Sequence, residues 1–135
     1  MMIESTLRIY NSMGKVVPVW SLDTDTYTVY HNAEKGDEDK TSYHSECIRY
    51  HINYVLQHSP DRLEALVDSG EIKNYLDELE SRINAAIDEQ VELWKKTDKE
   101  YLLAAADDNN VNKTQLANIF DMKAKEAIYA AMVYR

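Results

Sequence analysis

The chain is poor in cysteine, glycine, proline and long apolar runs, and each scarcity argues against a class of protein. Its 135 residues include one cysteine, three glycines and two prolines. The single cysteine, Cys47, excludes an internal disulfide and favours a reducing, cytoplasmic setting. Because glycine and proline are so few, long flexible linkers are not expected.

Segments that would direct the chain to a membrane are also missing. No apolar run approaches the roughly 20 residues of a membrane-spanning helix, so no membrane association is predicted. The first residues, Met1–Ser5, lack the basic and then apolar order of a signal peptide. We therefore expect a protein that stays in the cytoplasm.

Positive charge is scarce as well. Fifteen Lys and Arg residues stand against 24 Asp and Glu residues, which gives a net charge of −9. An acidic surface repels phosphate, so direct binding to nucleic acid is disfavoured. The composition is globular and the length suits a single domain over residues 1–135. Neither a nucleophile elbow nor a glycine-rich phosphate loop is present, so the sequence predicts no enzyme, no catalytic residue and no cofactor.

The first third of the chain, residues 1–31, predicts a small β-hairpin or meander. Two β-prone runs, Thr6–Tyr10 and Val16–Trp20, flank a short loop that contains glycine, which is a hairpin signal. Pro18 has no ladder donor, so its strand should lie at an edge or be interrupted there.

A third β-prone run, Thr26–Tyr30, precedes a polar stretch over residues 32–40 that predicts an exposed loop. From there the apolar period becomes helical, and residues 41–135 predict a helical body of four or five helices. The expected fold class is therefore mainly α with a small N-terminal β region, an α+β fold.

Local signals place the helix boundaries. Ser59 before Pro60 predicts a capped helix start, and Gly70 predicts a left-handed helix end. The strongest periodic segment is residues 71–96, which should pack against a last helix over residues 112–134. Exposed apolar stripes on these helices would also suit a homodimer.

The polar face of the 71–96 helix is rich in carboxylates. A run of acidic side chains can imitate a nucleic-acid backbone and occupy a basic groove of an enzyme that handles DNA or RNA. An ordinary solvated helix face is the alternative interpretation. The candidate residues are Asp77, Glu78, Glu80, Asp88, Glu89 and Glu92, with Asp107 and Asp108 as an extension.

Tyrosine is abundant, with ten in the chain, and half of them lie near the junction between the β and α regions. Tyrosine offers a flat contact area with a polar tip and is favoured at protein interfaces. The sequence therefore predicts a second partner-binding surface, although a tyrosine-rich core edge would have the same pattern. Its members are Tyr27, Tyr30, Tyr43, Tyr50 and Tyr54.

A third candidate is a metal or thiol site. His44, Cys47 and His51 share one face of a predicted helix, and imidazole and thiolate are good zinc ligands. His51 could also act as a base toward a Cys47 nucleophile. The competing interpretation is that Cys47 is a small buried apolar residue. Because no tighter ligand motif accompanies these residues, no metal is predicted.

The second half of the chain resembles the TnpV family of transposon-encoded proteins. The matching stretches are Leu66–Leu76, which contains Ser-Gly followed by Tyr-Leu, and the end of the chain from Asn118 to Tyr134. The resemblance covers residues 43–135, whereas the tyrosine-rich stretch 24–42 departs from it. It implies an origin on a mobile genetic element in a bacterial host, and a likeness to excisionases, but it carries over no catalytic residue.

Three functions follow as hypotheses. The first is a non-enzymatic protein-binding factor of a phage or transposon, an acidic inhibitor of a host nuclease or recombinase, similar in role to anti-CRISPR or other anti-defence proteins. The second is an excisionase-like accessory protein that binds DNA, which the net charge opposes. The third is a metal or thiol protein built on the histidine stripe. Candidate DNA contacts in the second case are Lys113, Lys123, Lys125 and Arg135.

Overall fold

The computed structural model describes residues 1–106 and 110–135 and confirms a mainly α protein with small antiparallel sheets near its N-terminus. The strands are β1 Met2–Glu4, β2 Arg8–Tyr10, β3 Val16–Pro18, β4 Trp20–Asp23, β5 Thr28–Asn32 and β6 Glu38–Ser42. The helices are α1 Glu46–His58, α2 Pro60–Ser69, α3 Ile72–Thr97, α4 Lys99–Ala106 and α5 Asn110–Ile128, followed by a π-helical turn, Tyr129–Val133. Within the described ranges, no helix is both long and apolar enough to cross a membrane.

The chain divides into two compact units. The N-terminal unit comprises residues 1–80 and 133–135, and the helical unit comprises residues 81–132. The first part of α3 belongs to the N-terminal unit and the remainder to the helical unit. A single domain over residues 1–135 stays a prediction.

The predicted N-terminal hairpin is confirmed. Strands β2 and β3 pair antiparallel. Strand β3 ends at Pro18, in agreement with the prediction, because proline has no main-chain N–H to donate to a neighbouring strand. The side-chain oxygen of Asn11 accepts hydrogen bonds from the main-chain N–H groups of Met13 and Lys15, both at 3.0 Å. This Asx-type turn, with Gly14 at a φ of 76°, holds the loop between the strands.

The loop predicted over residues 32–40 is wrong, because β5 continues to Asn32 and pairs with β6, Glu38–Ser42. The third predicted strand also lies two residues later than expected, since Tyr27 adopts a turn conformation with a φ of 54°. Strand β6 is an exposed edge strand with a charged sequence, and polar edge strands have the composition of loops. The helical region consequently begins at Glu46 instead of residue 41.

One face of the larger sheet forms the core of the N-terminal unit. Strands β1, β4, β5 and β6 lie side by side in that order, and their register brings Ile3, Leu22 and Val29 into one buried row. Helix α2 contacts β1 and β4, and α1 packs on α2. The helices add their own buried side chains, which are Cys47, Ile48, Ile52, Val55, Leu63, Val67, Ile72 and Leu76.

The helical unit has a smaller core, in which α4 packs along α5. The rings of Trp94 from α3 and Tyr101 from α4 each lie 5.8 Å from the ring of Phe120 in α5. The predicted contact between the long acidic helix and the last helix is therefore present. Large apolar side chains remain exposed on this unit, notably Leu103, Val111 and Met122, and the homodimer stays a prediction.

The junction between α2 and α3 depends on Gly70. As predicted, Gly70 ends α2 in the left-handed conformation, with a φ of 78°, and its N–H bonds back to the carbonyl of Val67. Pro60 occupies the first turn of α2 as expected, but the Ser59 side chain makes no capping hydrogen bond. A Cβ at Gly70 would lie 2.6 Å from Nε1 of Trp20, whose indole stacks on His31.

Replacing Gly70 with alanine should therefore cost more than replacing Gly14. Both positions have a positive φ, which costs a residue with a Cβ about 1–2 kcal/mol, but only Gly70 adds a clash with Trp20. Urea unfolding of Gly70→Ala and Gly14→Ala measures both losses. Equal losses of unfolding free energy would show that contact with Trp20 does not constrain the junction.

Candidate functional site

Two of the candidate acidic residues, Asp77 and Glu80, form hydrogen bonds inside the N-terminal unit. The Asp77 carboxylate accepts hydrogen bonds from the Tyr43 hydroxyl at 2.7 Å and from Lys73 at 2.8 Å. The Glu80 carboxylate accepts a hydrogen bond from the Ser45 hydroxyl at 2.6 Å. These bonds join the segment before α1 to α3, so Asp77 and Glu80 have a structural role.

The environment of Tyr43 and Asp77 shifts their protonation equilibria in opposite directions. Burial, together with the neighbouring Asp77 carboxylate, raises the pKa of Tyr43 far above its ordinary value of 10.0. Partial burial pushes the pKa of Asp77 upward, but hydrogen bonds from Lys73 and Tyr43 outweigh it and hold that pKa below 3.8. The pair is therefore a neutral phenol that donates to an ionised carboxylate.

The remaining acidic residues face solvent. Glu78 is exposed in the N-terminal unit, and Asp88, Glu89 and Glu92 are exposed on the part of α3 in the helical unit. Glu92 lies 3.5 Å from Lys95 in an exposed ion pair, which contributes little stability. Asp107 and Asp108 lie outside the described residues.

The five candidate tyrosines lie in different environments. Tyr43 is buried, whereas Tyr27 hydrogen-bonds Asn53 and has the Arg49 guanidinium 5.9 Å from its ring centre. Tyr54 stacks on His58, with 4.2 Å between ring centres. Of the other two, Tyr50 is exposed on α1, and Tyr30 points away from the core side of the sheet, where it lines a cavity of about 290 Å³.

Two of the three residues of the histidine stripe, Cys47 and His51, lie in the core, so the stripe is not an open ligand set. Cys47 is buried, its Sγ lies 3.7 Å from the Ser45 hydroxyl, and burial raises the pKa of its thiol, which opposes thiolate chemistry. His44 is exposed, and both ring nitrogens of His51 are hydrogen-bonded. No three His, Cys, Asp or Glu side chains converge as metal ligands in the part of the chain that the structure describes. Cys47 and His51 share the buried face of α1 as predicted, but the prediction for His44 is wrong, because α1 begins at Glu46 and His44 precedes it.

His51 is the centre of a polar network that the sequence did not indicate. Its Nδ1 lies 2.7 Å from the Val133 carbonyl, and its Nε2 lies 2.7 Å from the Tyr75 hydroxyl. Because a carbonyl only accepts, Nδ1 carries the proton and Nε2 accepts from Tyr75. Arg62 donates to the Tyr75 oxygen at 3.2 Å and to the main-chain oxygen of Arg135 at 2.7 Å. The network joins α1, α2, α3 and the last residues of the chain within the N-terminal unit.

The sequence indicated the partners of His51 only through their positions relative to the apolar patterns of the helices. Tyr75 lies beside the apolar stripe of α3, and Val133 ends the apolar pattern of the last helix, but neither position says which polar group it meets. The bond between His51 and Val133 joins residues 82 positions apart. Such a contact depends on the tertiary fold.

The basic residues at the end of the chain are partly engaged. Lys113 lies 6.0 Å from the ring centre of Tyr101, and Lys125 pairs with Asp121 at 3.0 Å. Lys123 and Arg135 are exposed. They stay candidate DNA contacts.

Comparison with protein-family models, with curated proteins and with solved structures found no match to this chain. The likeness to the TnpV family therefore stays a prediction from the motifs quoted above.

The His51 network should make the stability of the N-terminal unit depend on pH. Burial lowers the pKa of His51 below its ordinary value of 6.5, and the positive charge of Arg62 acts in the same direction. The unfolded chain then binds a proton that the folded chain does not. Stability is present above pH 6.5 and is lost as the pH falls below it.

Urea unfolding between about pH 7.5 and pH 5.5 should therefore show a falling unfolding free energy, and His51→Gln should reduce this slope. His44→Gln is the matched control, since His44 is exposed. An unchanged slope in His51→Gln would contradict a neutral, buried imidazole.

Proposed function

We propose that this chain is a non-enzymatic protein-binding factor of a mobile genetic element that inhibits a host enzyme handling nucleic acid. The observation that supports it is the exposed carboxylate group of α3, formed by Asp88, Glu89 and Glu92. The inhibitor would present these charges to the basic groove that normally receives phosphate, as anti-CRISPR and other anti-defence proteins are expected to do. The mobile-element origin rests on the resemblance to the TnpV family.

These three carboxylates repel one another, which lowers the stability of the helix. Their placement together therefore favours a functional interpretation. Side chains three and four positions apart face each other on a helix, so Asp88 and Glu89 each lie next to Glu92. Like charges at that spacing destabilise a helix by about 0.2–0.5 kcal/mol per pair. The ion pair between Glu92 and Lys95 is long and exposed, so it leaves most of the negative potential available to a partner.

Electrostatic attraction of this kind acts mainly on encounter and on partner choice. A carboxylate group opposite a cationic groove raises the association rate and disfavours acidic or neutral partners. Because the charges are exposed, added salt should weaken the complex. Cys47 and His51 are held in core contacts, which supports a binding role in preference to thiol or metal chemistry.

Affinity capture from a bacterial lysate, followed by competition, tests the proposal. The chain should retain a basic nuclease or recombinase, compete with DNA or RNA for that enzyme, and release it as salt increases. The triple variant Asp88→Lys, Glu89→Lys, Glu92→Lys should lose at least about tenfold in affinity, because attraction becomes repulsion.

A matched variant separates local charge from net charge. Glu34→Lys, Asp37→Lys, Asp39→Lys changes the net charge equally at exposed positions in and beside the β5–β6 turn, and it should bind nearly as the unaltered chain does. Equal losses in the two triple variants would contradict a specific role for α3. Retention of a DNA duplex that is lost on Lys123→Glu would instead support the excisionase-like function.

A further inference from the structure

The N-terminal unit has an open groove of about 620 Å³ between strand β1 and helix α2. One wall is β1 with its flanking residues Met1 and Thr6. The other wall is the outer side of α2, from Asp61 to Asp68. Both walls belong to the N-terminal unit, so the groove is a feature of one compact body.

The β1 wall is an unpaired sheet edge. Strand β1 lies at the end of the strand order and pairs only with β4. The Met1 carbonyl accepts from the Thr24 N–H, and the Ser5 N–H donates to the Trp20 carbonyl, both at 2.8 Å. In an antiparallel ladder, main-chain groups alternate between the two sides of a strand. The N–H and C=O groups of Met2 and Glu4 therefore point away from β4, toward the free edge.

The α2 wall carries negative charge on one helix face. Asp61, Glu64 and Asp68 are spaced by three and four residues, so they point to the same side, and all three are exposed. The Asp68 carboxylate accepts from the main-chain N–H and the hydroxyl of Thr6, at 2.8 and 2.6 Å, and closes one end of the groove. The side chains of Asp61 and Glu64 form no hydrogen bond or ion pair with another described residue, so their carboxylates remain available for a ligand.

The groove also offers apolar contact. Met1 and Met2 line it and are 53% and 48% exposed. Methionine side chains are flexible and polarizable, so they adapt to varied apolar partners. The groove thus combines unpaired strand groups, adaptable apolar side chains and a row of carboxylates.

We propose that this groove binds an extended, lysine- or arginine-rich segment of a partner protein, which adds to the sheet as a strand beside β1. Its main chain would pair with Met2 and Glu4, its basic side chains would meet Asp61 and Glu64, and its apolar side chains would cover the methionines. A second copy of this chain fits less well, because two copies would bring the same carboxylates together. This inference is independent of the proposed function, since it uses neither α3 nor a particular enzyme.

A synthetic peptide tests the proposal on the full chain. An acetylated peptide of about ten alternating lysines and valines should bind, and it should slow hydrogen exchange at the main-chain amides of Met2 and Glu4. The same peptide with alternate N-methylated amides keeps its charge but loses its strand donors, and should bind at least about fivefold more weakly. Equal binding of the two peptides, or protection only outside β1, would overturn strand addition.

Variants of the protein test each wall. Glu64→Lys should weaken peptide binding about tenfold, whereas Glu34→Lys, with the same charge change at an exposed position of the β5–β6 turn, should leave it nearly unchanged. Met2→Pro removes the outward N–H and should weaken binding, while Met2→Leu keeps the N–H and the apolar contact. Equal effects of Glu64→Lys and Glu34→Lys, or of the two Met2 variants, would contradict the proposal. Self-association of the chain through β1 without peptide would also contradict it.

Discussion

The structure depends on the burial of one face of a short antiparallel sheet beneath the helices of the N-terminal unit. Ile3, Leu22 and Val29 form the buried row, and α2 covers it through Leu63 and Val67. Apolar burial of this kind supplies the main stabilisation of small proteins. This packing also leaves main-chain groups of β1 accessible, because α2 covers one face of the sheet and leaves the outer edge of β1 unpaired.

The polar groups drawn into this core are hydrogen-bonded. No buried side-chain nitrogen or oxygen within residues 1–106 and 111–135 lacks a partner. His51, Tyr43 and Asn32 each bond a group from another element: Val133, Asp77 and Pro18 respectively. An unpaired polar group in such a place would cost about 1–3 kcal/mol. These bonds therefore specify how the helices and the last residues of the chain meet.

The sequence predicted those features that depend on local chemistry. The hairpin, the strand end at Pro18, the left-handed Gly70 and the long α3 all follow from the backbone preferences of single residues or from apolar periodicity. Strand β6 was missed because an edge strand needs only main-chain pairing, which leaves its side chains as polar as those of a loop. The roles of Asp77 and Glu80 were missed because their partners, Tyr43 and Ser45, lie 34 and 35 residues away.

The carboxylates of this protein divide into those that hold the fold and those that we propose bind a partner. Asp77 and Glu80 belong to the first set, whereas Asp61, Glu64 and the exposed group on α3 belong to the second. We propose that Asp61 and Glu64, beside the free edge of β1, receive a cationic protein segment and not nucleic acid. Amide chemical shifts of the full chain in solution, followed during separate additions of a lysine-rich peptide and of a short DNA duplex, test this most directly. We expect shifts along β1 and the outer side of α2 with the peptide and none with the duplex. Shifts around Lys123 and Lys125 with the duplex alone would show the opposite preference.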